Sequence, residues 1–348
     1  MKSTLGFIFG LSLALLLTAM VGENPWHVLM VLVHSSFGSW YDLGLTLFYC
    51  TSLIFTGLAV CIPFQAGLFN IGAEGQLTIG AFAMAAVGIL FPHLPFPWGY
   101  GFALLTGALA AGVWGFIPGW LKAYRGSHEV IITMMLNFIA AGIVSYFVVG
   151  YFKNPLSQNP ETAMIGPGYQ FGDGDLLHRL SPDSPFNISF LFAVALCVLV
   201  WIFIYRTTWG FELRAVGQNE EAASFSGIST RKYKMLSLFL GGACAGLVGL
   251  NEILGSAGKF RLGFSAEYGF VGIAVALLAR NNPLGILVSA FLFGALQKGA
   301  SDLDIETDHI TRDFAKILQA IIILSVAGFY YLNSTKLKMW WHKIRRKS

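Results

Sequence analysis

The chain has 348 residues, of which 55% are hydrophobic and only 11% charged, with a mean hydropathy of +0.66 and a formal net charge of +4. Soluble domains carry about 25% charged residues, so this composition excludes a soluble globule and points to a protein embedded in a bilayer. A small net charge spread along the chain leaves no footprint for nucleic acid.

Lys2 precedes an apolar run from Leu5 to Val21, which is read as an uncleaved first span in preference to a signal peptide, because Thr18-Ala19-Met20 is only weakly like a cleavage site. Gly6 and Gly10 form a small-xxx-small pair that suits close helix approach. The loop Gly22 to Asp42 has acids but no Lys or Arg, which places it outside, and a second span is expected from about Leu43 to Ile62. Pro63 interrupts that run, and the chain continues PFQAGLFNIGAEGQLTIGAFAMAAVGIL. Asn70, Glu74, Gln76 and several glycines crowd the first half of this third segment. A continuous lipid-facing helix does not tolerate such density, whereas a broken helix lining an aqueous path does. The competing reading is a polar cytosolic turn with Glu74 near the start of the span.

A fourth span, Trp98 to Ile117, delivers Lys122 and Arg125 to the cytosol. A fifth, Val130 to Val149, carries Asn137 near its middle, either as a bond between helices or as a pathway-lining group. Residues 150–187 form the longest outer loop, with turn-forming proline and glycine. After a sixth span, Ile188 to Tyr205, comes the polar stretch Arg206 to Lys234, which holds five of the 22 Lys and Arg and is therefore taken as cytosolic. Within residues 206–234, Asn219 caps a helix of about seven residues, Glu220 and Glu221 lie in its positively poled first turn, and Gly227 closes it. The seventh span, Met235 to Leu254, puts Gly242, Gly246 and Gly249 on one face. Two short apolar pieces follow, Ala266 to Ala279 and Leu284 to Leu296, separated by Arg280-Asn281-Asn282-Pro283. Both fall short of the roughly 20 residues a span needs, and they are read as two tilted spans in preference to a re-entrant hairpin. Asp302, Asp304, Glu306 and Asp308 are assigned to an outer loop, and a last span from about Lys316 to Leu332 ends in six basic residues between Lys336 and Lys347.

This placement puts 15 Lys and Arg inside and seven outside or at the outer border, with five acids inside and 13 outside. The expected architecture is therefore an all-α integral membrane protein of about ten transmembrane helices, both termini cytosolic, in a single domain over residues 1–348. Ala73-Glu74 and Ala266-Glu267 precede spans of opposite direction, a weak sign of an inverted repeat. No reactive His, Ser-His-Asp or paired-carboxylate constellation and no metal-ligand spacing appears. No catalytic residue, metal or cofactor is expected, and Cys50, Cys61, Cys197 and Cys244 lie in apolar runs where a disulfide is not expected.

Four stretches resemble one family. GLFNIGAEGQLTIGAFA, from Gly67 to Ala83, is similar to the signature of permeases in the nucleoside and simple-sugar branch of ABC importers, and EVIITMMLN and YGFVGIAVALLARNNPLG resemble the same branch. Glu221 to Gly227, of the form E-A-A-x-x-x-G, resembles the coupling loop by which such permeases dock on an ATPase. The resemblance covers about Phe64 to Leu284; Arg280 stands where a small residue is expected before the Asn-Asn-Pro turn. It implies a permease subunit that imports a nucleoside, or a related small polar solute such as a simple sugar, by alternating access across the bacterial plasma (inner) membrane. It further implies cytosolic ABC ATPase subunits, a second permease subunit and an extracytoplasmic substrate-binding lipoprotein. On this basis Asn70, Glu74, Gln76 and Asn137 are expected along the substrate pathway, and Glu220, Glu221, Ala222, Ala223 and Gly227 at the ATPase contact. The alternative is a secondary, ion-coupled transporter or a channel, in which Glu74 would carry a proton or select an ion.

Overall fold

The computed structural model describes residues 2–171, 175–307 and 309–331, and these form thirteen α-helices with no strand. In chain order they are α1 (Lys2–Met20), α2 (Pro25–Phe37), α3 (Trp40–Gln65), α4 (Ala73–Leu90), α5 (Trp98–Arg125), α6 (Glu129–Gly150), α7 (Ser189–Arg206), α8 (Thr208–Gln218), α9 (Glu220–Phe225), α10 (Thr230–Gly246), α11 (Tyr268–Leu278), α12 (Pro283–Glu306) and α13 (Arg312–Tyr331). A π-helical stretch, Leu250–Ala257, continues α10. Among the described residues, seven helices are long and apolar enough to cross a membrane: α3, α4, α5, α6, α7, α12, and α10 with its continuation. Asp308 and the basic tail lie outside the described residues.

Three expectations are corrected. The loop from Gly22 to Asp42 contains α2, started by Pro25 in the first turn and by the Asn24 side chain, which accepts from Trp26 N at 2.9 Å. Its apolar face lies along α12, where Ser36 Oγ donates to Ala295 O at 2.7 Å. Asp302, Asp304 and Glu306, assigned to an outer loop, instead lie in the last turns of α12, so this helix spans 24 residues rather than the short piece to Leu296. The third concerns residues 206–234, where α8 precedes the expected short helix.

Lys298 explains how α12 continues through charged sequence. Its ammonium is only 4% exposed and lies between two carboxylates, Asp42 Oδ1 of α3 at 3.1 Å and Asp302 one turn further along α12. Charge is tolerated inside because it is paired.

The tightest seam joins α5 to α10. A Cβ at Gly242 would lie 2.3 Å from Ala111 O, and one at Gly246 would lie 2.6 Å from Gly107 O, so the two backbones touch where the sequence places its small-residue face. Gly249, just beyond α10, packs instead on α4, against Ala81 and Met84. Gly6 and Gly10 do the same between α1 and α13, against Phe329 and Ile322. The longest loop is clamped to the chain after the π-helical stretch. Glu161 meets Lys259 Nζ at 2.7 Å and Arg261 Nε at 3.3 Å, and the hydrogen bond from Lys259 holds its carboxyl below the usual range.

Candidate functional site

Pro63 sits in the last turn of α3 and has no N–H, so the carbonyl of Ala59, four residues back, loses its helical donor. The chain supplies a replacement from further on. Residues 66–72 double back along α3, and Asn70 Nδ2 donates to Ala59 O at 3.0 Å. The same amide exchanges hydrogen bonds with Gln76, Nδ2 to Oε1 at 2.8 Å and Nε2 to Oδ1 at 3.1 Å. Asn70 is fully buried and Gln76 nearly so. This pair therefore closes the break between α3 and α4. Asn70→Leu leaves the Ala59 carbonyl and the Gln76 amide unmatched, and is expected to lower stability by about 2 to 4 kcal/mol, read as a lower melting temperature of the purified protein. Unchanged melting would refute the bracing role.

Glu74 occupies the second position of α4, where the helix dipole favours a negative charge. Its carboxylate also meets the start of α11: Oε2 accepts from Gly269 N at 2.8 Å and Oε1 from Ser265 Oγ at 2.5 Å. A Cβ at Gly269 would lie 2.4 Å from Glu74 N, so the two helix N-termini abut. Among the described residues no Lys, Arg or His pairs with this acid; the two positive helix ends and the hydroxyl offset its charge. Asn137 of α6 secures the same end of α4, with Oδ1 accepting from Gly75 N at 2.9 Å and Nδ2 donating to Ile71 O at 3.0 Å. Glu74 and Asn137 both line a cavity of about 420 Å³ that also includes Thr78, Ser145 and Ser265. Asn70 and Gln76 do not border it. Ser265, which sequence reasoning passed over, had no signal beyond lying next to Ala266-Glu267.

The loop residues form a second, separate group. Asn219 ends α8 and caps α9, its Oδ1 accepting from Ala222 N at 3.0 Å. α9 has six residues, one fewer than expected. It closes with Ile228 N bonded to Ala223 O and Gly227 N to Ser224 O, both at 3.0 Å, with Gly227 at φ +81°. Glu220 pairs with Lys234 at 2.5 Å, and the hydrogen bond from that ammonium holds its carboxyl below the usual range. Ala223 packs inward with Leu213, Val216 and Tyr233 in a small core distinct from the main one. Glu221 and Ala222 face outward. So does Phe225, which is 93% exposed and was missed although a bulky apolar residue in a polar loop is itself a signal. The last turn of α8 presses on the end of α3: a Cβ at Gly217 would lie 2.1 Å from Gln65 O, and one at Gly67 3.3 Å from Gly217 Cα.

The family model described as "Branched-chain amino acid transport system / permease component" matches residues 43–327. Similar proteins include the guanosine ABC transporter permease protein NupP of Bacillus subtilis (strain 168), 38% identical over 336 residues, covering 94% of this chain and 93% of that one. The nucleoside ABC transporter permease protein NupB of Lactococcus lactis subsp. cremoris (strain MG1363) is 34% identical, over 93% of this chain and 89% of its own. The glucose ABC transporter permease protein TsgB13 of Haloferax volcanii is also 34% identical, over 81% and 76%.

Proposed function

The chain belongs to the permease-component family of branched-chain amino acid transport systems and is a multi-pass plasma-membrane permease subunit of an ABC importer; on that premise we propose that its cargo is a nucleoside, or a related small polar solute such as a simple sugar. It is not an enzyme, because ATP is hydrolysed on a separate subunit. The observation that carries the mechanistic reading is the abutment of α4 and α11. Two discontinuous helices meet N-terminus to N-terminus beside a cavity of about 420 Å³, within the usual size of small-molecule sites. That arrangement supports an inverted repeat with the path at its interface and alternating access around it. Glu74 and Asn137 line the path, while Asn70 and Gln76 brace the break that forms it.

The finer topology follows in the same reading. Ten helices cross: α1, α3, α4, α5, α6, α7, α10, α11, α12 and α13, within one domain over residues 1–348 and with both termini cytosolic. α11, about 16 Å long, completes its crossing with the extended chain before it. Residues 150–187 face the substrate-binding lipoprotein outside, a second permease subunit faces the path, and Glu220, Glu221, Ala222 and Gly227 present α9 to the ATPase. Ala223 serves that contact by fixing α9 to the permease.

Vesicles carrying the whole importer and ATP should accumulate labelled nucleoside, with excess unlabelled nucleoside competing. Glucose uptake indifferent to nucleoside would reassign the cargo. For the coupling surface, Phe225→Ala is expected to weaken ATPase co-purification about 30-fold, and Ala222→Trp at least ten-fold, with insertion unaffected because both side chains are exposed. Normal co-purification of both variants would remove α9 from the interface.

A further inference from the structure

The π-helical continuation of α10 carries an acid with no role so far. Such widened turns recur at functional sites, and ionisable groups within membrane spans are costly unless they serve one. Glu252 Oε1 accepts from Ser52 Oγ of α3 at 2.9 Å, and Tyr268 at the start of α11 lies beside its carboxylate. No cation pairs with it among the described residues, and part of its surface stays accessible.

The groups behind it fix what Glu252 can do. Fully buried Asn251 donates from Nδ2 to Phe48 O and to Ser52 Oγ, both at 2.9 Å, and accepts from Asn187 Nδ2 at 3.0 Å. Ser52 has a single hydroxyl hydrogen; because it accepts from Asn251, that hydrogen points to Glu252. The serine therefore donates, and Glu252 is held as an acceptor whose remaining lone pairs are open. Tyr49 lies alongside, its ring centroid 6.5 Å from that of Tyr268. Gly269, next after Tyr268, donates to Glu74, so this station adjoins the cavity site.

We propose that Glu252, flanked by Tyr49 and Tyr268, is a second solute-recognition station that accepts hydrogen bonds from the vicinal hydroxyls of a ribose or sugar. A vicinal diol presents two O–H donors to the two oxygens of one carboxylate, the neutral counterpart of a bidentate pair. The partly exposed ring of Tyr49 beside a carboxylate suits the apolar side of such a ring. The station rests on the cargo reading above and adds a specificity-determining residue to it.

The test uses the whole importer in proteoliposomes, comparing a ribonucleoside with its 2′-deoxy analogue at saturating binding protein. Glu252→Gln keeps the shape and the Ser52 bond but turns one acceptor into a donor. Ribonucleoside uptake should fall about ten-fold or more, 2′-deoxynucleoside uptake by less than about two-fold, and stimulation of ATP hydrolysis by loaded binding protein should persist. The binding protein is identical in both arms, so a change in the ratio belongs to the permease. Equal losses for the two solutes, or no loss for either, would overturn the station while leaving the cargo reading intact. A parent importer that takes up neither solute removes the cargo reading and the station with it. Should Glu252→Gln not accumulate, Tyr49→Leu probes the same station from its aromatic side, and unchanged ribonucleoside uptake there counts against it.

Discussion

Lys298→Met should cost about 3 kcal/mol of stability or more, because it strips the cation from two carboxylates that share one small space. The ammonium is almost fully buried between Asp42 and Asp302, whose side chains keep 18% and 30% of their surface. That residual hydration places the effect at the lower end of the range for breaking a buried pair. The loss should appear as a melting shift of the purified protein in detergent. Adding Asp42→Asn and Asp302→Asn to the same variant should restore most of it, since the repelling charges are then gone. A single variant that melts like the parent would show that the triad contributes nothing.

Gly242→Val is expected to be comparably harmful for a steric reason. The new Cβ would stand 2.3 Å from Ala111 O and 3.1 Å from its carbonyl carbon, so backbone rather than a flexible side chain has to move. Prying α5 from α10 costs about 3 kcal/mol and threatens assembly of the bundle. Gly142 on α6 is the matched control, because a Cβ there meets nothing within 4 Å. Gly142→Ala should melt at or above the parent temperature. Equal tolerance at both positions would mean that the seam is looser than its geometry.

Much of this architecture could be read from residue types. Apolar runs bounded by basic clusters located the long helices, and glycines at intervals of three and four marked α1 and α10 as close-packing faces. The capped helix after Asn219 was legible because Asn, paired acids and a terminal Gly each answer a specific backbone need. α2 escaped because its interruption by His27, His34 and two serines reads as loop; what makes it a helix is burial against α12, a tertiary fact. The end of α12 escaped for the converse reason. Asp302, Asp304 and Glu306 look like solvent, and only the pairing of Lys298 across to Asp42 shows that the helix continues.

At the candidate site the residue types were easier to read than their geometry. Asn70, Glu74 and Gln76 were conspicuous as polar groups beside glycines, yet a sequence does not reveal that Asn70 answers the carbonyl freed by Pro63. Glu74 meets a loop almost 200 residues away. Asn137 bonds across helices, one of the two readings left open for it, and it also borders the cavity. Asn251-Glu252, within GLVGLNEILG, passed without notice among the glycines of that span, and it took the Ser52 contact to show how the pair is held.

The contact between Gly217 and the Gln65–Gly67 turn makes chain length a functional quantity. With the two backbones this close there is no slack, so the last turn of α8 and the foot of α3 move as one piece. A push at α9, as proposed for the ATPase contact, would then reach residues 66–72 without being absorbed by a flexible joint. One residue inserted within the last turn of α8 would swing everything beyond it by about 100° and carry Phe225 to another bearing, while the foot of α3 stayed where it was. An insertion among residues 154–159, on the exposed side of the Glu161 clamp, would lengthen only a surface turn. Under the proposed coupling, the permease can therefore vary freely in length in its longest loop, and hardly at all on the line through which α9 would drive it.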